Sequence, residues 1–314
     1  MTLCKLYGIG WGLLWTSICL GQAPASCPAD DPETPLPRRV AFATQDNIVI
    51  VGSFIAPADQ EKHPAVILLP DYKQDSSSYA PLILPLHNAG FAVLAIDPRG
   101  HGASTGSAEL GLARRVEQRD PKLFAEIHRD VEAACHWLLE QPNIDRTRFV
   151  LVGTGLGSGV ALDYASRDAS VDGVVCLTPA MSWPGLDSVR HVQKYGRRPL
   201  LLLACEDGRK AIEHLKRFAP EAIDEIVINP ADADLLGTHM LGHVADIEER
   251  IVQFLHEAAG PPATHPVVAS VRSEVYHEPE SSAAKRIKAT NRRWFSSPQE
   301  AEARGLRPPK PKDR

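Results

Sequence analysis

The sequence predicts an α/β fold: a mainly parallel, doubly wound sheet followed by a small C-terminal hairpin-and-helix unit. Three observations carry this. Short apolar runs such as Ala65–Leu69 alternate with stretches of helical period over more than 200 residues, the pattern of strands buried on both faces and joined by helices. One of those strands, Phe149–Val152, enters a Gly-rich turn that opens a helix. After Gly260-Pro261-Pro262 the alternation stops and the chain turns basic.

The elements follow in order. Val40–Thr44 and Ile48–Ala56 read as strands joined at Gln45-Asp46-Asn47. Ala65–Leu69 and Phe91–Ile96 are buried strands, separated by a helix over Ser76–Ala89 that stops at Gly90. Leu123, Phe124, Ile127, Val131, Ala134, Cys135, Leu138 and Leu139 recur at helical spacing, which predicts one helix over Pro121–Leu139. After the turn at Asp145-Arg146-Thr147 come the strand Arg148–Val152 and the helix Gly155–Ala165. Further strands are expected at Val171–Leu177, Pro199–Ala204 and Glu225–Ile228, and further helices at Lys210–Phe218 and Ala245–Ala258. In the C-terminal unit, 271–277 alternates like a strand and Trp294-Phe295 lies in a second one. Ser297, Pro298 and Glu300 then mark a helix start, and Gly305 its stop.

Composition bounds the function. The 314 residues are 44% hydrophobic and 23% charged, which excludes a disordered, collagenous or polytopic membrane chain. The net charge of −5 argues against nucleic acid as a partner of the whole chain. That average hides a split, because residues 261–314 carry 11 Lys/Arg against 6 Asp/Glu. Six cysteines are too few for a disulfide scaffold, and Cys135, Cys176 and Cys205 sit in apolar runs that predict buried thiols.

Residues 1–25 have the features of a secretory signal: Lys5, a mostly apolar stretch from Leu6 to Leu20, and Ala23 and Ala25 before Ser26. The expected location is secreted, periplasmic or cell-envelope, with a membrane anchor if the segment stays uncleaved. No second apolar run reaches spanning length, so no stable span is expected once the signal is removed. The organisation is then a signal at 1–25, a linker at 26–38, the α/β domain at 39–258, a linker at 259–270 and the small unit at 271–312.

The stretch from Gly153 to Gly159 admits two readings. A phosphate cradle fits poorly, since the spacing is not G-x-G-x-x-G and no P-loop lysine follows. The other is the strand–elbow–helix that presents a nucleophile as G-x-S-x-G. The rest of the chain resembles the α/β-hydrolase family from about Arg39 to Ala258. Asp97-Pro98-Arg99-Gly100-His101-Gly102-Ala103-Ser104 looks like its D-x-R-G-H-G-x-S segment, and Asp130 with Trp137 like the helix before the elbow. Pro199–Asp207 looks like the strand ending in the triad acid, and Leu236-Gly237-Thr238-His239 like the loop with the triad histidine.

On that resemblance His239 would be the base and Asp207 its orienter, with Glu206 as an alternative. Gly155 falls where the nucleophilic serine belongs, and glycine cannot form an acyl-enzyme. Thr154 precedes the apex. Ser158 lies nearly a turn beyond it and is the alternative nucleophile; its plain reading is a small helix-packing residue. Backbone N–H groups of Leu156 and Tyr72 could form an oxyanion hole. The loop after the third strand reads Pro70-Asp71-Tyr72, where Pro70 has no N–H and the Asp71 carboxylate would disfavour an oxyanion. His101 and Ser104 read as turn-formers. Only about twenty residues separate Leu177 from Pro199, which predicts little lid and an open groove suited to a small ester or a peptide.

The C-terminal segment carries a second resemblance, to the Ada-type zinc-binding domain, through Ser273–Pro279, Ala284–Ile287, Trp294–Ser297 and Gly305–Pro308. The cysteine positions of that domain are Ser281, Pro309 and Lys312 here, so no metal and no cofactor is expected, and His277 alone makes no site. The core available to this unit is small, so it should fold by docking on the first domain or on a protein partner. The resulting expectation is a secreted hydrolase-like protein without acyl transfer, serving as a binding or scaffold module. The alternatives are an active esterase or peptidase using Ser158, and an interaction protein whose basic tail docks on an anionic surface.

Overall fold

The computed structural model describes residues 35–218, 223–228, 235–260, 266–288 and 291–309. The expected signal at 1–25 and most of the 26–38 linker lie outside them. Strands β1 (Arg38–Ala43), β2 (Val49–Ile55), β3 (His63–Leu69), β4 (Ala92–Asp97), β5 (Ile144–Thr154) and β6 (Gly173–Leu177) come first. A two-rung hairpin, β7 (Ser182–Trp183) and β8 (Leu186–Asp187), precedes β9 (Leu200–Cys205) and β10 (Ile223–Ile228). The eight-stranded sheet has the order β1-β2-β4-β3-β5-β6-β9-β10. Here β2 runs antiparallel to β1 and β4, and every other pair is parallel.

The helices cover both faces. α1 (Ala80–Asn88) and α8 (Ile247–Ala259) pack on one; α4 (His128–Leu139), α5 (Leu156–Arg167), α6 (Ser188–Tyr195) and α7 (Arg209–Lys216) pack on the other. The unbroken apolar strands follow from this, since successive residues of β3 serve opposite cores. Val66 and Leu68 join the α1–α8 side, whereas Ile67 and Leu69 join the α4–α5 side. Cys135, Cys176 and Cys205 are buried free thiols.

Three local readings differ from expectation. The helix over Pro121–Leu139 is two, α3 (Pro121–Ala125) and α4, preceded by an unforeseen α2 (Leu112–Glu117). The break comes where the His128 ring takes the Ala125 carbonyl at 2.8 Å and Ile127 N donates to Phe124 O, which lets Leu123 and Phe124 bury separately from α4. The turn at Asp145–Thr147 lies inside β5, where the Asp145 carboxylate accepts from Thr147 N at 2.9 Å beside a register shift against β3.

The third difference is in the C-terminal sheet. Its first strand is β11 (Val267–Ser270), within the expected linker, and of 271–277 only β12 (Tyr276–His277) is strand. β12 pairs antiparallel with β11, as does β13 (Arg292–Phe295) on its other side. Burial explains the shift: Val267, Val268 and Ala269 are interior, whereas Arg272 and Glu274 are exposed in the turn. After α9 (Ser282–Arg286), α10 (Pro298–Ala303) starts as its sequence specifies. Ser297 Oγ accepts from Glu300 N at 3.2 Å, and the Glu300 carboxylate accepts from Ser296 N at 2.5 Å.

This unit docks on the large one. Phe295 and Ala301 are fully buried with Ala169 packed against them. Arg304 donates to Asp172 at 2.9 Å and to Val171 O at 3.3 Å. Asp172 also accepts from Phe149 N at 2.7 Å, and burial lifts its pKa to about 7 against the pull of Arg304.

Candidate functional site

Strand β5 ends at Thr154 and α5 begins at Leu156, leaving Gly155 alone to turn the chain at φ 51° and ψ −111°. That turn is tight enough to demand its glycines. A Cβ on Gly157 would lie 2.1 Å from Leu69 O, and one on Gly153 would lie 2.3 Å from Gly157 O. The chain therefore passes from strand to helix in one tight turn with no side chain at its apex.

The Asp71 carboxylate occupies the volume that a side chain on Gly155 would need. A Cβ built on Gly155 would lie 2.0 Å from Asp71 Oδ1, 2.1 Å from its Cγ and 2.2 Å from Oδ2. Asp71 Oδ1 accepts from Leu156 N at 2.7 Å and from Tyr72 N at 2.7 Å. These are the two N–H groups that the sequence offers as an oxyanion hole, and here they hold a carboxylate from the protein itself. Burial raises the Asp71 pKa, while the two N–H groups and the nearby His101 oppose the rise.

The remaining expected residues fall as follows. The turn Gly237–Met240, which carries His239, abuts the elbow. Gly237 N donates to Thr178 Oγ1 at 2.8 Å, Thr238 Oγ1 bonds Gln74 at 3.2 Å, and a Cβ on Gly237 would lie 2.4 Å from Thr154 Oγ1. The His239 side chain is exposed and has no hydrogen bond or ion pair among the described residues. Asp207 is exposed in the single turn Glu206–Gly208 after β9 and forms no hydrogen bond with His239. Glu206 is paired with Arg209 at 2.7 Å. Ser158 is fully buried, and its hydroxyl donates to Gly153 O at 2.8 Å and lies 3.2 Å from Leu177 O. Thr154 Oγ1 is buried without a hydrogen-bond partner among the described residues.

The Asp97–Ser104 segment is a clamp. Asp97 accepts from Ser76 N and Ala103 N, both at 2.8 Å, and Ser104 Oγ accepts from Val51 N at 2.9 Å. Arg99 is almost wholly buried and holds Asp130 through two 2.8 Å contacts, one from its backbone N, and Asp46 at 2.9 Å. Burial raises the Asp130 pKa to about 6 despite Arg99; burial acts on Asp46 too, but the Arg99 and Thr44 hydrogen bonds dominate and hold it well below the usual range. His101 is buried, which lowers its pKa, and its Nε2 has no partner among the described residues.

A cover also exists that the sequence did not suggest. Tyr72 packs against Trp183 at 5.7 Å and Phe124 at 6.2 Å between ring centroids, and its hydroxyl donates to Val116 O at 3.2 Å. Gly185 of the β7–β8 hairpin approaches Pro121 so closely that a Cβ would lie 2.0 Å from its carbonyl oxygen. The short connection after β6 thus meets α2 and α3 over Tyr72, and the expected open groove is roofed on this side. The missed signal was the pair Trp183 and Phe124, apolar side chains too large to leave in solvent.

A family model of the S33 serine aminopeptidases matches residues 60–213. An uncharacterised protein of Mycobacterium tuberculosis is 31% identical over 145 residues, 45% of this chain and 46% of that protein. A polyketide transferase of Gibberella fujikuroi is 30% identical over 158 residues, 48% of this chain and 46% of the relative. The chain thus matches about half the length of these curated relatives. Among solved structures, an α/β hydrolase from Penicillium sp. sh18 superposes with a TM-score of 0.58 at 17% identity, over 71% of this chain and 99% of that one. The Pyrococcus furiosus esterase Pf2001 gives 0.55 at 19%, over 71% and 91%. The strand order, the single antiparallel β2, the elbow at Gly155 and these likenesses together identify the fold of this chain as that of the α/β hydrolases.

Proposed function

We propose that this protein is a hydrolase-fold module that has lost acyl transfer and works by binding. The observation that carries the reading is the Asp71 carboxylate, which fills the place of the missing apex side chain and engages both N–H groups that would stabilise an oxyanion. An acyl-transfer site needs a nucleophile and a hole open to developing negative charge. Here the first is absent and the second already holds a carboxylate. Ser158 supports no rescue, because its buried hydroxyl points back into the sheet, toward the Gly153 carbonyl of β5 and the Leu177 carbonyl of β6. The leader-like residues 1–25 support a secreted or cell-envelope location, and the docked C-terminal unit offers a surface for a protein partner.

The test is hydrolysis of short-chain activated esters and labelling by a serine-directed fluorophosphonate. The wild type should match a His239→Ala control in rate and take no label. The double variant Gly155→Ser/Asp71→Gly, which restores a hydroxyl and clears the hole, should take label. Labelling of the wild type at Ser158 or Thr154 would overturn the reading in favour of an active hydrolase.

A further inference from the structure

A cavity of about 310 Å3 lies between the C-terminal sheet and helices α4 and α5, away from the elbow. Five arginines line it: Arg146 and Arg167 from the large unit, and Arg272, Arg292 and Arg293 from the small one. Two carboxylates, Glu132 and Asp168, line it as well, together with His128 and His136. Arg167 is neutralised by Asp163, which accepts from it at 2.8 and 3.2 Å. Asp168 is occupied by the Tyr164 hydroxyl at 2.9 Å and by Ser170 N and Oγ at 2.9 and 2.7 Å. It meets Arg293 only at 3.4 Å, so the buried Arg293 Nε has no hydrogen bond.

Arg146, Arg272 and Arg292 form no ion pair with any described residue. Arg146 lies over the Trp294 ring at 5.7 Å, and Arg292 donates to Ile287 O at 3.0 Å. Docking the small unit therefore brings unpaired cations from two parts of the chain to one crevice. Five arginines against Glu132, Asp168 and the neighbouring Asp163 leave the crevice with a positive excess that an anion would offset. Guanidinium groups suit carboxylates and phosphates, which they bind through paired N–H donors. Phe149, Leu139 and the face of Trp294 add apolar wall for a carbon skeleton, and the volume is that of a small-molecule site.

We propose that this crevice binds a small organic oxyanion, bearing phosphate or carboxylate groups, and that the ligand bridges the two units. A ligand of the folded protein raises its melting temperature. The experiment titrates the full chain with pyrophosphate in one arm and citrate in the other, against sodium chloride matched for ionic strength. Melting temperature and tryptophan fluorescence are the readouts. A saturable rise with pyrophosphate alone assigns a phosphate ligand, with citrate alone a carboxylate, and with both the shared oxyanion chemistry. Arg146→Gln and Arg272→Gln, both at exposed positions that should fold, are expected to weaken binding at least tenfold each. Lys285→Gln, a basic position outside the crevice paired with Glu280, should bind as the wild type does. No rise beyond the chloride control in either arm would overturn the proposal. So would equal loss in the Lys285 variant, or undiminished binding in both arginine variants.

Discussion

Placing a serine at Gly155 is the sharpest perturbation the structure offers. Gly155→Ser places a Cβ on a residue with φ 51°, which costs an L residue about 1–2 kcal/mol. The same Cβ would sit 2.0–2.2 Å from three Asp71 atoms, so the carboxylate must leave. It would give up two hydrogen bonds of 2.7 Å, each worth about 1.5–3 kcal/mol when the acceptor is charged. Hydration returns part of that, since burial already penalises the ion. The expected total is about 3–5 kcal/mol. With Asp71→Gly already in place only the φ cost remains, about 1–2 kcal/mol. Urea denaturation of the wild type, both single variants and the double variant gives the cycle directly. The coupling should be favourable by about 2–3 kcal/mol. If Gly155→Ser costs the same in both backgrounds, the Asp71 carboxylate does not stand in the serine's place and the argument for a plugged hole fails.

Three further outcomes are expected. Asp130→Ala should destabilise by about 3–5 kcal/mol in urea, because it strips a buried partner from Arg99; a loss under 1 kcal/mol, on the order of a surface change, would show that Asp46 suffices. Asp71 titrates above its usual value in the folded chain, so its contribution is complete below about pH 4 and is lost as pH rises through the folded-state value. Wild type should therefore lose stability relative to Asp71→Asn over that rise, and a flat or reversed difference in urea midpoint would contradict it. Arg304→Ala should cost more at pH 8 than at pH 6, because Asp172 titrates at about 7 and its protonated form needs no cation. Thermal melts at the two pH values decide it.

Much of the fold was legible because its signals are local. Unbroken apolar strands, helical periods, the cap at Ser297 and the stop at Gly305 each report on a few neighbouring residues. The glycine at the apex of the turn after β5 could be read the same way, since Gly153 and Gly157 fix the frame in which Gly155 is the apex. The C-terminal strands were harder. Val267–Ser270 follows three prolines and looks like linker, and its pairing with Tyr276–His277 and Arg292–Phe295 makes it a strand. The splitting of α3 from α4 was equally hidden, because one helical period runs through both.

The sequence by itself determined the alternation of strands and helices, the glycine-rich turn with Gly155 at its apex, and the presence of Asp71 in the loop after the third strand. It could not determine what Asp71 does there. Its two hydrogen-bond partners are backbone N–H groups, one of them 85 positions away, and a backbone donor carries no residue-type signature. The same holds for Arg99 and Asp130, 31 positions apart, and for Arg304 and Asp172, 132 positions apart. These pairs form only because parallel strands return each connection to the same end of the sheet and the last unit folds back across it. Tertiary structure therefore decided that the Leu156 and Tyr72 N–H groups are taken by the Asp71 carboxylate, and that five arginines meet in one crevice.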